Sequence, residues 1–264
     1  MADQKRVRAI GVRTLFFIIS GIGCFLFLCP ICALSASFDI QPIKIFFDTR
    51  TRAEKLLIRN QSGGDLSLLV KAFRWIQDGQ GKDVYEDTSD IVFFPKILTL
   101  HKEEEKIIRI GINSPPGQAE KTYRIYVEEI PVNSVIPEGA AIRVLLKVGV
   151  PVFMKPVRAD AKGNIASFQV QEGKARFKIN NGGNLHFIIT SLHVKGRDNE
   201  GKEIFSKEFG GWYLLGGASR TYETTIPVDI CNKLSTLDIT GKTDRFTLNS
   251  NTPVSKSMCT GGSN

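Results

Sequence analysis

The chain has 264 residues, of which 42% are apolar and 23% charged, and this composition excludes a disordered, collagen-like or coiled-coil protein. The length allows one large domain or two small ones. Lys and Arg number 35 against 27 Asp and Glu, which gives a formal net charge of +8. Residues 1–35 carry four of these basic residues and one acidic residue, and the excess left in the rest of the chain is mild and scattered, so it does not indicate binding to nucleic acid.

Residues 1–35 predict a secretory signal peptide. Four basic residues lie between positions 5 and 13, ahead of an uncharged apolar run at 15–34. The small side chains of Ala33 and Ser35 suit cleavage after residue 35. An uncleaved membrane anchor is the alternative, because about 20 apolar residues can span a bilayer.

The next part of the chain predicts short strands separated by turn clusters rich in Gly, Pro and Asn. Seven such strands fit an immunoglobulin-like β-sandwich. No segment combines a sustained helical period with start and stop signals. The predicted strands cover residues 38–47, 55–58, 67–76, 91–94, 106–112, 123–130 and 140–154.

Pro156 marks a change in the pattern, because proline cannot donate to a strand ladder and holds its neighbour extended. A second strand-rich series follows it. We therefore predict an all-β protein with one domain at 36–155 and a second β-sandwich domain at 156–264. The strands predicted for the second domain are 167–170, 175–179, 186–195, 203–209, 219–226 and 234–239.

Two cysteines, Cys231 and Cys259, follow the predicted signal peptide. An even pair in an exported chain favours one disulfide, here closing a loop near the C-terminus. Two free thiols are the alternative.

The sequence contains no motif typical of an enzyme. Its three histidines, His101, His186 and His193, have no metal-ligand spacing, and no nucleophile elbow, P-loop or dinucleotide fingerprint is present. We predict no catalytic residue, metal site, cofactor or small-molecule substrate.

The predicted strand at 140–154 carries a long apolar stripe. Five aliphatic side chains alternate on one face, and they are Ile142, Val144, Leu146, Val148 and Val150. Such a stripe either fills the core of its own sandwich or is lent in part to a partner, as in strand addition. The periodicity alone leaves both interpretations open.

Several ordered segments resemble the periplasmic pilus-assembly chaperones of the chaperone–usher pathway, the PapD-like family. Residues 38–47 and 55–60 are similar to the first two strands of that family, and 94–100 to its proline-containing segment. The sequences YRIYVEEIP at 123–131 and VPVFMKP at 150–156 are similar to its strand F and to the end of its strand G. The sequence NGGNLH at 181–186 is similar to a segment found in the second domain of some branches.

The resemblance implies two immunoglobulin-like domains in a boomerang arrangement and a location in the periplasm, or at the inner membrane facing it. It also implies a non-enzymatic chaperone that caps pilus subunits with the strand carrying Ile142, Val144, Leu146, Val148 and Val150. The expected partners are pilus subunits and an outer-membrane usher, and empty copies could pair through the stripe. The alternative is an exported structural or adhesive β-sandwich protein without chaperone activity.

The family also implies a basic pair that binds the carboxylate at the subunit's C-terminus. Lys44 matches one member of this pair, but the strand G position is Pro151. This departure suggests an alternative or archaic-type branch, with Arg124 as the second basic residue, because guanidinium binds carboxylate bidentately. A structural ion pair is the alternative role for Arg124. Glu129 and Lys155 match positions expected to form an ion pair that holds the two domains together.

Overall fold

The computed structural model describes residues 38–131 and 144–260. It confirms the all-β fold class, because nearly every regular element is a strand. The predicted signal peptide and Ile142 lie outside the described residues. Among the residues that the structure describes, no helix is long and apolar enough to cross a membrane.

Two sheets are built from residues 38–154. One sheet has the strand order β1-β3-β8-β6, and the other has the order β2-β10-β9-β4-β5, with β7 also paired to β4. These strands are β1 (Phe38–Gln41), β2 (Ile45–Phe47), β3 (Ala53–Asn60), β4 (Leu66–Gln77), β5 (Asp83–Asp87), β6 (Ile91–Phe94), β7 (Ile97–Leu100), β8 (Glu105–Ile112), β9 (Lys121–Glu129) and β10 (Lys147–Met154).

The core between these two sheets follows from strand alternation. Ile108, Ile110 and Ile112 on β8 are buried, while the residues between them are more exposed. From the other sheet, β10 contributes Val150 and Val152 to the same core. The C-terminal end of the alternating pattern on β10 therefore points into the core of its own sandwich.

Two further sheets are built from residues 163–253, with the strand orders β11-β12-β16 and β14-β13-β17-β18; β15 also pairs with β13. The predicted domain boundary at residue 156 falls between the two groups of sheets. The elements are β11 (Gly163–Gln171), β12 (Lys174–Asn181), β13 (Phe187–Arg197), β14 (Glu203–Phe209), β15 (Tyr213–Leu214), β16 (Ser219–Thr225), α1 (Val228–Cys231), β17 (Thr236–Thr243), β18 (Thr247–Pro253) and a 3-10 helix (Lys256–Met258).

Cys231 and Cys259 form the predicted disulfide, with an S–S distance of 2.00 Å. Both cysteines are buried in the core of the second group of sheets. The bridge joins α1 to the end of the 3-10 helix and so holds the C-terminal segment against this core.

Some strand boundaries differ from the sequence-based prediction. The run 38–47 is interrupted at Pro42, so that β1 and β2 pair in different sheets. The run 140–154 is a strand only from Lys147 onward among the described residues. The strands β5 and β18, rich in acidic or small polar residues, were missed because each is at the end of its sheet and has little apolar alternation.

Candidate functional site

The apolar stripe passes gradually from the core into solvent. Val150 is 2% exposed, Val148 and Leu146 are half-buried against the core, and Val144 is 73% exposed. Residues 144–146 precede β10 and have no strand assignment, although the Glu129 amide donates to the Leu146 carbonyl at 2.9 Å. The stripe is thus only partly used by its own sandwich.

One edge of β10 is mostly uncovered. Its antiparallel partner β9 runs along all of Lys147–Met154. On its other side, β2 pairs in parallel with Val152, Phe153 and Met154 alone. Within the described residues, positions 147–151 therefore have a strand neighbour on one side only, and we call their other side the free edge. An uncovered edge is a template for strand addition.

Arg124 lies on β9 beside the end of this free edge, where its Cα partner is Pro151. Its side chain is buried, with the guanidinium carbon 4.0 Å from the centroid of the Trp75 ring. Nη1 donates to the carbonyl of Gly149 at 3.2 Å. Nε and Nη2 are buried and have no hydrogen-bond acceptor within the part of the chain that the structure describes. Two unsatisfied donors on a buried cation are costly, and an anion would satisfy both.

Gly149 is needed for this arrangement. A Cβ at position 149 would lie 2.9 Å from Cε1 of Tyr126 and 3.2 Å from Cδ of Arg124. The missing side chain therefore leaves room for two residues of β9 to pack across β10.

Lys44 directly precedes β2, whose first residue, Ile45, is the Cα partner of Val152. Its Nζ lies 5.5 Å from the centroid of the Tyr213 ring, and the guanidinium carbon of Arg124 lies 5.8 Å from the same centroid. The structure thus brings Lys44 and Arg124, which we call the anchor pair, to one aromatic ring at the end of the free edge.

The aromatic side chains around the anchor pair were not predicted from the sequence. Trp75 comes from β4, whereas Trp212 and Tyr213 come from the short segment at β15. Trp212 donates from Nε1 to Asp83 at 2.8 Å, and the Gln77 amide accepts from Leu215 and donates to the Tyr213 carbonyl. The only sequence signal was two aromatic residues immediately after Gly210 and Gly211.

The predicted ion pair between Glu129 and Lys155 is wrong. Glu129 lies at the end of β9 beside Leu146, whereas Lys155 follows the opposite end of β10. Because a strand rises about 3.4 Å per residue, the length of β10 places Glu129 and Lys155 about 25 Å or more apart. Nζ of Lys155 instead lies 3.9 Å from Oδ2 of Asp48.

A different polar pair links the two groups of sheets. Oε2 of Glu120 lies 2.6 Å from Nδ1 of His186 and also accepts from the His186 backbone amide at 2.9 Å. Both side chains are 3% exposed. The His186 ring stacks on the Phe153 ring, with the two ring centroids 3.9 Å apart. His186, for which the sequence analysis predicts no metal or catalytic role, is thus a buried structural residue at this junction.

Glu128 bridges two lysines beside the free edge. Its carboxylate lies 2.7 Å from Nζ of Lys147 and 3.0 Å from Nζ of Lys71. The hydrogen bond from Lys147, aided by that from Lys71, lowers the pKa of Glu128 below its ordinary value. The bridge ties the start of β10 to β9 and β4.

The described residues form an immunoglobulin-like sandwich in which one edge of β10 has no strand neighbour at positions 147–151 and two cations lie at the end of that edge. Residues 37–160 match the family model described as pili and flagellar-assembly chaperone, PapD N-terminal domain. The resemblance inferred from the sequence is therefore confirmed for residues 37–160, which match the PapD N-terminal domain of pilus-assembly chaperones. This match supports a chaperone role in pilus assembly, and the family is non-enzymatic.

Solved chaperone structures share the fold of the whole described chain. A chaperone–tip adhesion subunit pre-assembly complex, CsuC–CsuE from the archaic Csu pili of Acinetobacter baumannii, gives a TM-score of 0.58 at 17% identity, covering 81% of this chain and 98% of that chain. The YadV chaperone gives 0.55 at 11% identity, covering 83% and 100%. The class 5 fimbriae chaperone CfaA gives 0.52 at 16% identity, covering 82% and 100%. Comparison with curated protein sequences finds no match.

Proposed function

We propose that this protein is a periplasmic chaperone that binds and caps pilus subunits by donor-strand complementation and delivers them to an outer-membrane usher. The observation that carries the proposal is the course of β10. Its apolar stripe leaves the core at Val144, and its free edge ends at the anchor pair.

The lent residues would be Val144, Leu146 and Val148, together with Ile142. Val144 is exposed, and Leu146 and Val148 have surface left to bury. Covering such a side chain with a partner groove contributes up to about 1.5–3 kcal/mol. Val150 is already buried in the chaperone's own core, so it serves the fold more than the partner.

The position of β2 supports a direction for the bound strand. The strand β2 runs parallel to β10 and begins at Ile45, where the free edge ends. A subunit strand that runs in the same direction along the free edge would end next to Lys44, with its terminal carboxylate beside the anchor pair. An antiparallel strand would place an amino group or an internal residue there, and neither would neutralise two cations.

Arg124 would form the charge-assisted hydrogen bonds to this carboxylate through Nε and Nη2, the two donors that have no acceptor in the described residues, after its side chain turns to bring these buried atoms to the free edge. Lys44 would add a second positive charge. The replacement of the strand G basic residue by Pro151 supports an alternative or archaic-type branch. The same uncovered stripe supports pairing of two empty copies.

Co-expression with a candidate pilin in a bacterial periplasm, followed by pull-down, tests the proposal. We expect a one-to-one complex with the wild-type protein and none with Leu146→Asp, while the variant stays folded by circular dichroism. A folded wild-type protein that captures no pilin from a panel would favour the structural or adhesive alternative. Unfolding of every stripe variant, including Val144→Asp, would instead assign the whole stripe to the chaperone's own core.

A further inference from the structure

The anchor pair depends on an aromatic ring that comes from the second group of sheets. The ring of Tyr213 lies within 6 Å of the charged groups of both Lys44 and Arg124. It also packs edge-on against Trp75 at 5.2 Å, and Trp75 is the ring on which the guanidinium rests. A cation over an aromatic face is attracted by the negative charge of the ring face.

Tyr213 is itself held from three directions. On β15, its Cα partner is Ile188 of β13. Its backbone carbonyl accepts from the side chain of Gln77 at 2.9 Å. Its ring lies 5.6 Å from the His186 ring and 6.1 Å from that of Phe153. The ring therefore has little freedom to move, and the buried contact between Glu120 and His186 helps to fix it.

We propose that Tyr213 is a positioning residue of the anchor pair: its ring sets the orientation of Lys44 and Arg124 and so makes residues 163–253 part of the carboxylate site. This inference rests on the proposed function. The Trp212 ring centroid also lies 5.8 Å from the guanidinium carbon of Arg124, but the Tyr213 ring is near both cations. The inference predicts that the second group of sheets contributes to recognition of the subunit terminus through a side chain that does not itself bind the subunit.

The test compares two peptides with the sequence of the last 20 residues of a candidate pilin, one with a free C-terminal carboxylate and one with a C-terminal amide. Each carries a fluorescein at its N-terminus, and binding to the full chain is followed by anisotropy. The wild-type protein should prefer the acid. Tyr213→Leu should lower affinity for the acid by about 3- to 10-fold, because cation–π contacts to both cations are lost. It should leave affinity for the amide unchanged.

Tyr213→Phe is the matched control, because it keeps the aromatic face, and it should retain the wild-type preference. In a protein that already carries Arg124→Met and Lys44→Met, Tyr213→Leu should have no further effect on acid binding. Should Tyr213→Leu fail to fold, Gln77→Ala, which removes the hydrogen bonds to β15, should give the same loss of preference for the acid.

The outcomes separate the two proposals. A wild-type preference for the acid that survives Tyr213→Leu and Gln77→Ala would overturn the role of Tyr213 and leave the carboxylate anchor intact. An equal loss of acid and amide binding would also overturn it, because it would show a merely structural role. Equal wild-type affinity for both peptides would overturn the anchor itself, and with it this inference.

Discussion

Pro151 on β10 and Arg124 on β9 are Cα partners across an antiparallel pair. The family resemblance places a basic residue at the position of Pro151, which has no charge. The facing residue on β9, Arg124, does carry a positive charge, and its guanidinium carbon lies 4.0 Å from the centroid of the Trp75 ring. Under the proposed function, the positive charge at the end of the free edge is supplied by β9 and not by β10 itself.

Replacing Arg124 with Met should separate binding from stability. Its Nε and Nη2 are buried without an acceptor among residues 38–131 and 144–260, so an apolar side chain of similar volume should leave the free energy of unfolding unchanged or raise it. Capture of a pilin with a free carboxylate should fall at least tenfold. Thermal denaturation and quantitative pull-down measure the two effects. A large loss of stability would instead assign Arg124 to a structural ion pair.

The same substitution at two positions of the stripe should have opposite consequences. Val144→Thr changes an exposed side chain and should alter stability by less than about 0.5 kcal/mol while weakening pilin capture. Val150→Thr places a hydroxyl in the core and should destabilise the fold by about 1–3 kcal/mol. Urea titration with pull-down at matched protein concentration distinguishes them. Equal destabilisation by both variants would contradict the change from an exposed side chain at Val144 to a buried one at Val150.

Removing the disulfide should lower stability without altering recognition. The bridge closes a separation of 28 residues. Replacing both cysteines with Ser should cost about 3.5 kcal/mol on the loop-entropy model. Both cysteines are buried in the core of the second group of sheets, so pilin capture at low temperature should be retained. Melting curves with and without reductant check the wild type, and reductant should not affect the double variant.

The bridge made by Glu128 should give a small acid-dependent contribution to stability. Its pKa is lowered in the folded state, so the stabilisation is present above its ordinary value of 4.5 and is lost as the pH falls through the lowered pKa. Because both lysines are largely exposed, Glu128→Gln should cost less than about 1 kcal/mol at pH 7. Urea unfolding at pH 7 and at pH 3 measures this difference. A difference that persists at pH 3 would indicate another cause.

Local patterns in the sequence predicted much of the fold and part of the site. The alternation that ends at Val150 and Val152 defines which face of β10 is buried, and two cysteines in an exported chain sufficed to predict their bridge. Arg124 and Lys44 could be selected as a pair through the family resemblance. Each of these inferences depends on neighbours along the chain or on a motif.

The contacts that complete the site depend on residues far apart in sequence. Trp75 and Tyr213 meet only after the two groups of sheets have packed, so no periodicity brings them together. The wrong pairing of Glu129 with Lys155 has the same origin. Charge complementarity does not reveal that two residues lie at opposite ends of a strand pair, and only the register of β9 and β10 does.

The change from exposed to buried side chains between Val144 and Met154 has an evolutionary consequence if the proposed function holds. Substitutions near Val144, ahead of β10, could then follow changes in the groove of the cognate subunit, because this side chain is exposed and lies outside the chaperone's own core. Substitutions at Val150, Val152 and Met154 change buried core side chains, so they alter the stability of the protein whether or not a partner is bound. One continuous segment could therefore diverge in specificity near Val144 while β10 stays fixed, which would let a duplicated gene acquire a new subunit without first losing the stability of its product.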